Sequence, residues 1–390
     1  MKSMYFSEEH QLFRKSFQDF LQKEVVPHID NWEKTGTIDR FIWKKFGDMG
    51  YFGLATAESY GGLGLDLFYT LILLEELQKI NSGGFAAAIW AHAYLAMTHL
   101  NKNGNEVQKK NYLIPSVNGH KIGCLGVTEP FGGSDVAGMR TTATKKGDTY
   151  IINGSKTFIT NGVYGDYVIL AAKTDPSAGN KGVSIFIVDL ESKGVTRNKL
   201  NKLGWRASDT AELAFDNVVV PATNLMGTEG KGFTFIMEAF SLERLIMGIN
   251  AHARAEYALE YAMQYMSERE TFGKPINQYQ ALRHRIADLH ADLEICKHYN
   301  YSVAYKMDRG EYVVREATIS KLKSTEMADK VVYECLQFLG GYGYIEDYPM
   351  ARLFRDSRLG PIGGGTSEIL KEIIAKIVID KKEYRTPLEN

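Results

Sequence analysis

The chain has 390 residues, enough for two or three domains of about 150 residues each, and its 46 Lys and Arg against 47 Asp and Glu leave a formal charge of −1. That balance excludes a nucleic-acid binder, which needs surplus cations for phosphates, and 12% aromatic residues exclude a disordered chain. A chain this long builds its core without metals or disulfides, and the scattered Cys124, Cys296 and Cys335 fit a reducing compartment.

The amino terminus, MKSMYFSEEH, has no basic stretch followed by an apolar one, so no signal or transit peptide is expected. The cytoplasm is the expected compartment, or the mitochondrial matrix if a transit peptide has been removed. Leu12, Phe13, Phe17, Phe20 and Leu21 recur at the spacing of a buried helix face, with Ser7 as N-cap. A second helix is predicted from Leu67 to Ile80. Between Lys79 and Lys102 no residue is charged, yet Ser, Thr, Asn and two His dilute the apolar content. The segment reads as a buried helix and not a membrane span.

Near Gly123 the pattern changes. YIING, KTFITNG, DYVILAAK, GVSIFIVDL and AELAFDNVVVP are β-branched or aromatic runs separated by Gly, Asn, Asp and Pro. They predict an antiparallel β domain, closed as a barrel or packed as a sandwich. From Gly232 the spacing is helical again, in four segments: 233–266, 279–307, 313–339 and 369–379. Short connections between them predict a four-helix bundle. The expected fold is mostly α with a central β domain: residues 1–122 helical, 123–231 β, 232–390 the bundle.

Common cofactor signatures are missing. No G-x-G-x-x-G follows a strand and no G-x-x-x-x-G-K-[ST] occurs, which disfavours a Rossmann site and a P-loop. Nine His are scattered without metal-ligand spacing, so no metal site is expected. Gly-x-Ser-x-Gly is absent as well.

Two glycine-rich clusters carry more. In Gly126 to Gly138, GVTEPFGGSDVAG, the Gly132–Gly133 pair permits a tight turn beside the Thr128 and Ser134 hydroxyls. Glu129 and Asp135 can hold that loop by accepting backbone N–H bonds. In Gln337 to Asp356, QFLGGYGYIEDYPMARLFRD, adjacent glycines stand at a helix end, and Arg352 and Asp356 fall one helical turn apart. Taken singly, each could be a capped loop or a helix stop.

Together they resemble signature regions of the acyl-CoA dehydrogenase family. SKTFITNG at Ser155, RETFGK at Arg269 and GGTSEI at Gly364 align with that family in the same order, so the resemblance covers essentially the whole chain. It implies a non-covalent FAD between the β domain and the bundle. Leu125, Val127 and Thr128 would border the flavin, and Ser134 would lie near both flavin and substrate. Phe158 would pack on the isoalloxazine, and Thr160 would hydrogen-bond its reactive edge. Arg269, Phe272, Gln280, Gln337, Gly340 and Gly341 would reach the adenine and pyrophosphate of a neighbouring subunit's FAD, and Thr366 and Glu368 would contact FAD near the turn GGTSEI. The resemblance further implies a homotetramer, an acyl-CoA substrate, a place in fatty-acid β-oxidation and an electron-transfer flavoprotein as acceptor.

The family chemistry removes a proton α to a thioester carbonyl while the β hydrogen leaves as hydride to flavin N5. It needs a carboxylate at the α-carbon. Many members carry that Glu directly before Gly-Thr in the C-terminal turn, but here the turn reads PIGGGTSEI and the position is Gly364. The resemblance to the long-chain and isovaleryl branches, through Leu242-Glu243-Arg244, assigns the base to Glu243 instead. Flanking Phe240, Leu242, Leu245 and Ile246 make its helix largely buried, which raises a carboxyl pKa. Ser241, Arg244, Gly364 and Gly365 are the further expected substrate-side residues, with Arg244 holding nearby loops. A medium- or long-chain or branched acyl group is expected. The alternatives are a related flavoenzyme, an oxidase or one acting on a carrier-protein-bound chain, and a non-catalytic flavin- or acyl-CoA-binding relative.

Overall fold

The computed structural model describes residues 4–384. The α-helices before the sheet are α1 (Glu8–Glu24), α2 (Ile29–Thr35), α3 (Arg40–Asp48), α4 (Leu67–Lys79), α5 (Gly83–Trp90), α6 (Met97–Asn103), α7 (Glu106–Gln108) and α8 (Ile114–Val117). Ser7 caps α1 as its position predicts: its hydroxyl accepts the His10 N–H, and His10 Nδ1 accepts the Ser7 N–H. His10 thus completes a capping box usually closed by Glu or Gln. Phe17 and Leu21 are buried, and Phe13 and Phe20 pack against the same core. Leu12, expected on that face, is 69% exposed. A helix turns about 100° per residue, which carries Leu12 off the stripe that Phe13, Phe17, Phe20 and Leu21 share.

The uncharged segment is buried, as read from its sequence. It runs through α5, a π-helical turn at Ala91–Ala96, and α6. Among the described residues no helix is long and apolar enough to cross a membrane. The π turn carries His92, whose Nδ1 accepts the Gly123 N–H (3.0 Å) while Nε2 faces the Ser116 carbonyl (3.2 Å). Burial takes His92 down to about 4, which keeps the imidazole neutral. The first strand is therefore hooked onto the helices by a side chain.

Eight strands form one sheet: β1 (Gly123–Gly126), β2 (Thr142–Lys146), β3 (Thr149–Thr160), β4 (Tyr167–Lys173), β5 (Val183–Asp189), β6 (Val195–Lys199), β7 (Thr210–Pro221) and β8 (Leu225–Met226). The order is β6-β7-β3-β2-β4-β5-β8, with β1 beside β4. Pairing is antiparallel except where β1 and the first residue of β2 meet β4 in parallel. YIING and KTFITNG are one strand, β3, broken in register at Ile152/Gly154 and Lys156/Ile159. β2 and β6 escape a hydrophobicity reading because TATKK and VTRNK are polar strands at the solvent side. β4 and β5 are buried almost throughout, having helices or sheet on both faces.

After the sheet come α9 (Gly232–Glu268), the short strands β9 (Glu270–Thr271) and β10 (Lys274–Pro275), then α10 (Gln280–Asp308), α11 (Val314–Leu339), α12 (Pro349–Ser357) and α13 (Ser367–Val378). At 37 residues α9 is about 55 Å long. Its first half buries Ile236, Leu245, Ile246 and Ile249 in the core of the amino-terminal helices. Its second half, from Ala251 to Met266, shares a core with α10 and α11. α12 is too short for periodicity to reveal. Its buried Asp356 accepts the N–H groups of Gly83 (2.9 Å) and Trp205 (2.6 Å), tying the amino-terminal helices and the sheet's loops to the bundle. Arg352 binds Asp30 and the Asn81 carbonyl. The Arg–Asp pair one turn apart is a clamp between layers.

Candidate active site

The GVTEPFGGSDVAG loop leaves β1 and is locked from below. Lys156 and Glu129, both buried, form an ion pair at 2.8 Å. Lys156 Nζ also donates to the Val127 carbonyl (3.1 Å), and Glu129 accepts the N–H groups of Arg140 (2.6 Å) and Thr141 (3.0 Å). Burial opposes the charged Glu129 carboxylate, but Lys156 and those N–H donors prevail and hold its pKa below the usual range. Burial also brings Lys156 down to about 8, against the pull of Glu129. The Thr157 N–H bonds the Thr128 carbonyl (2.9 Å), which sets Val127 and Thr128 alongside β3. Asp135 accepts the Gly138 N–H (3.0 Å), the second loop contact expected from the sequence. Ser134 is exposed beside it, and Leu125 is half-buried.

Where β3 shifts register, Phe158 takes a left-handed φ of 60° and is 71% exposed. A bulky residue held in that region, with its ring in solvent, is strain that calls for a partner. Thr160 ends the strand, paired with Thr210. On the bundle a second aromatic is displayed in the same way. Phe272 has φ 50° and is 97% exposed, in the β9–β10 hairpin. Nearby, a cleft of about 480 Å³ is lined by Arg269, Ile276, Gln337, Gly340, Gly341 and Tyr342, among others. Apart from the adjoining residues, no atom of the described residues lies within 4 Å of where a Cβ of Gly340 or Gly341 would stand. An extended phosphate-bearing ligand could therefore approach this backbone closely, and the residues fit the dinucleotide end of FAD. Gln280 begins α10, exposed and outside the cleft.

The turn between α12 and α13 holds the second site. Gly364 and Gly365 have φ of 60° and 91°, conformations that favour glycine. A Cβ built on Gly364 would stand 3.4 Å from Glu243 Oε1 and 2.3 Å from Met247 Sδ. Glu243 on α9 thus points its carboxylate at the spot where a side chain of residue 364 would begin. Glu243 is half-buried, and no hydrogen bond or ion pair to its carboxylate is formed among the described residues. Burial raises its pKa to about 7, with Arg244 and Lys321 pulling the other way. Ser241 lies two residues earlier, about 200° around the helix. Arg244 is buried and donates to the Thr318 hydroxyl (3.2 Å), a contact inside the bundle. Thr366 caps α13 by accepting the Ile369 N–H (3.3 Å), and Glu368 sits exposed in its first turn.

Three residues at these sites were not singled out from the sequence: Lys156, Met247 and Lys321. Lys321 is fully buried and donates to the Gly365 carbonyl at 2.6 Å. A signal was there to find, because Lys321 interrupts a face of α11 otherwise made of Ala317, Ser320, Ser324 and Ala328, all buried. Met247 stands one helical turn after Glu243, where periodicity alone makes it core.

Residues 7–120, 124–218 and 230–379 match, in chain order, the N-terminal, middle and C-terminal domains described as acyl-CoA dehydrogenase. The mitochondrial long-chain specific acyl-CoA dehydrogenase of Sus scrofa is 38% identical over 380 residues, which are 97% of this chain and 88% of that protein. Mitochondrial isovaleryl-CoA dehydrogenase of Arabidopsis thaliana is 37% identical, over 96% of this chain and 92% of that one. A crystal structure of an acyl-CoA dehydrogenase from Geobacillus kaustophilus superposes with a TM-score of 0.94 at 40% identity, covering 96% and 99% of the two chains.

Proposed function

The chain belongs to the acyl-CoA dehydrogenase family, whose members are FAD enzymes, and from that premise we propose that Glu243 is its catalytic base. The reaction class is FAD-dependent dehydrogenation of an acyl-CoA thioester. The observation that carries the proposal is the 3.4 Å between Glu243 Oε1 and the Cβ position of Gly364, the place from which other members extend their Glu. The Glu243 carboxylate thus lies beside the point where a side chain of residue 364 would begin. A Cβ at 364 would collide with Met247.

Glu243 accepts the proton from the carbon α to the thioester carbonyl. Among the described residues its carboxylate has no hydrogen-bond partner to lose when it does so, and a pKa of about 7 matches it to proton transfer at neutral pH. The Gly363–Gly365 turn adds no side chain of its own beside the carboxylate, whose neighbour there is Met247. Bound FAD supplies the acceptor for the hydride that leaves the β-carbon. Leu125, Val127, Thr128, Phe158 and Thr160 would hold it at the sheet. Arg269, Phe272, Gln280, Gln337, Gly340 and Gly341 would reach the adenine and pyrophosphate end of a neighbouring subunit's FAD, and Thr366 and Glu368 would contact FAD near the turn. The exposure of Phe272 supports its being covered by a neighbouring subunit in a homotetramer. Ser134, Ser241, Arg244 and Gly365 would border the substrate. An electron-transfer flavoprotein would reoxidise the enzyme, and medium- or long-chain or branched acyl-CoA would be its substrate.

The test is an anaerobic titration of the purified yellow protein with saturated acyl-CoA esters of short, branched and long chains. Bleaching of the oxidised flavin with a long-wavelength charge-transfer band is the expected result, and it ranks the substrates. Bleaching by carrier-protein thioesters alone would replace CoA in the proposal, and bleaching by nothing would remove it.

A further inference from the structure

Resting on Glu243 as the base, we infer that Lys321 is a positioning residue. It pins the two-glycine turn against the Glu243 carboxylate and favours the ionised form of that carboxylate against the cost of its burial. A buried ammonium needs an anion nearby. Lys321 is fully buried, yet its hydrogen bond goes to a neutral partner, the Gly365 carbonyl at 2.6 Å. Three carboxylates face it: Glu243 from α9, Glu368 from α13 and Glu326 from its own helix, while Arg244 is the like charge beside it. Glu326 is engaged by Lys323 and Lys371, each at 3.1 Å. Glu368 is exposed to solvent, which screens it. Glu243 is the desolvated carboxylate left to balance the charge. Tyr312 and Tyr384 face Arg244.

The tether to Gly365 explains why the two do not close into an ion pair. With its ammonium held by the turn, Lys321 stabilises the carboxylate through space and leaves both oxygens free to take a proton. The same tether fixes the turn that carries Gly364 beside Glu243. Arg244 contributes charge from the adjacent position on α9 but is committed to Thr318.

The experiment measures kcat/KM against pH for wild type, Lys321→Met and Lys321→Arg, with Glu243→Gln alongside. Flavin content serves as the check on folding. A second readout follows deuterium exchange at the α-carbon of a 3-thia-acyl-CoA ester, which has no β-hydrogen to lose and reports the base alone. In Lys321→Met both acid limbs are expected to move up by about one pH unit or more, a roughly tenfold loss near pH 6.5. Burial brings Lys321 itself down to about 8, so wild type and the Met variant should converge above pH 9. Lys321→Arg should keep the wild-type limb. A loss equal at every pH, or an Arg variant displaced like the Met one, would overturn the inference. If Met and Gln variants both lose flavin, the Arg variant still decides, since any displaced limb there overturns the idea and an unmoved one supports it. Near wild-type turnover in Glu243→Gln would instead remove the base assignment, whatever Lys321 does.

Discussion

Two buried lysines each stand near a glutamate in this protein, and the two neighbourhoods have opposite outcomes. At the sheet, Lys156 closes on Glu129 at 2.8 Å, two backbone N–H groups complete the carboxylate's shell, and its pKa falls. At the bundle, Lys321 is held by the Gly365 carbonyl, the Glu243 carboxylate has no bonded partner among the described residues, and burial raises its pKa to about 7. The two lysines are equally buried, and what differs between them is where their hydrogen bonds go. A satisfied carboxylate is a rivet. An unsatisfied one, next to a charge it cannot reach, is open to take up a proton.

That contrast can be broken at either end. Glu243→Gln is expected to retain flavin and lose about 10²–10⁴ in kcat/KM, read by steady-state assay with parallel flavin spectra. A variant that stayed fast would put the base elsewhere. Lys156→Met should do the reverse, destabilising the fold by about 3–5 kcal/mol by stranding buried Glu129, with flavin lost in denaturant before wild type loses it.

Acid sharpens the comparison, because the two glutamates carry opposite signs. Glu129 has a folded pKa below its unfolded one, so its contribution is present above the carboxylate range and lost as pH falls. Glu243, raised, favours the fold only while protonated, and that contribution is lost as pH rises from 4.5 to about 7. Catalysis needs the ionised form, so kcat/KM should climb with one proton lost near pH 7 even as Glu243's own contribution to stability declines. Glu243→Gln should flatten that part of the stability profile in pH-dependent unfolding.

The smallest effects separate the turn before α13 from the loop after β1. Gly364→Ala should cost about 1–3 kcal/mol in unfolding experiments, since its Cβ would meet Met247 Sδ at 2.3 Å with φ at 60°. Met247→Ala should recover part of that loss. Gly133→Ala, whose nearest contact would be Thr128 Cγ2 at 3.7 Å, should stay within about 0.5 kcal/mol of wild type.

Much of this was legible in the chain. Ser7, the long helical periods and the β-branched runs are local signals, and a helix or strand forms locally wherever its pattern is consistent. The family resemblance followed from residues close together in sequence, and it pointed to Glu243 because Gly364 had lost its carboxylate. Polar strands such as TATKK were missed because hydrophobicity marks burial and not pairing. Leu12 was misread because a cluster of apolar letters hides a difference of about 100°.

What the sequence determined alone, then, is the order of helices, sheet and bundle, and which glutamate could take the place of the missing one. What only the tertiary structure decided is the state of that glutamate. Whether a buried lysine bonds a carboxylate or a carbonyl depends on atoms brought together from α9, α11 and the turn before α13, more than 120 residues apart in the chain. Hydrogen-bond geometry acts over about 3 Å, and no periodicity along one segment encodes it.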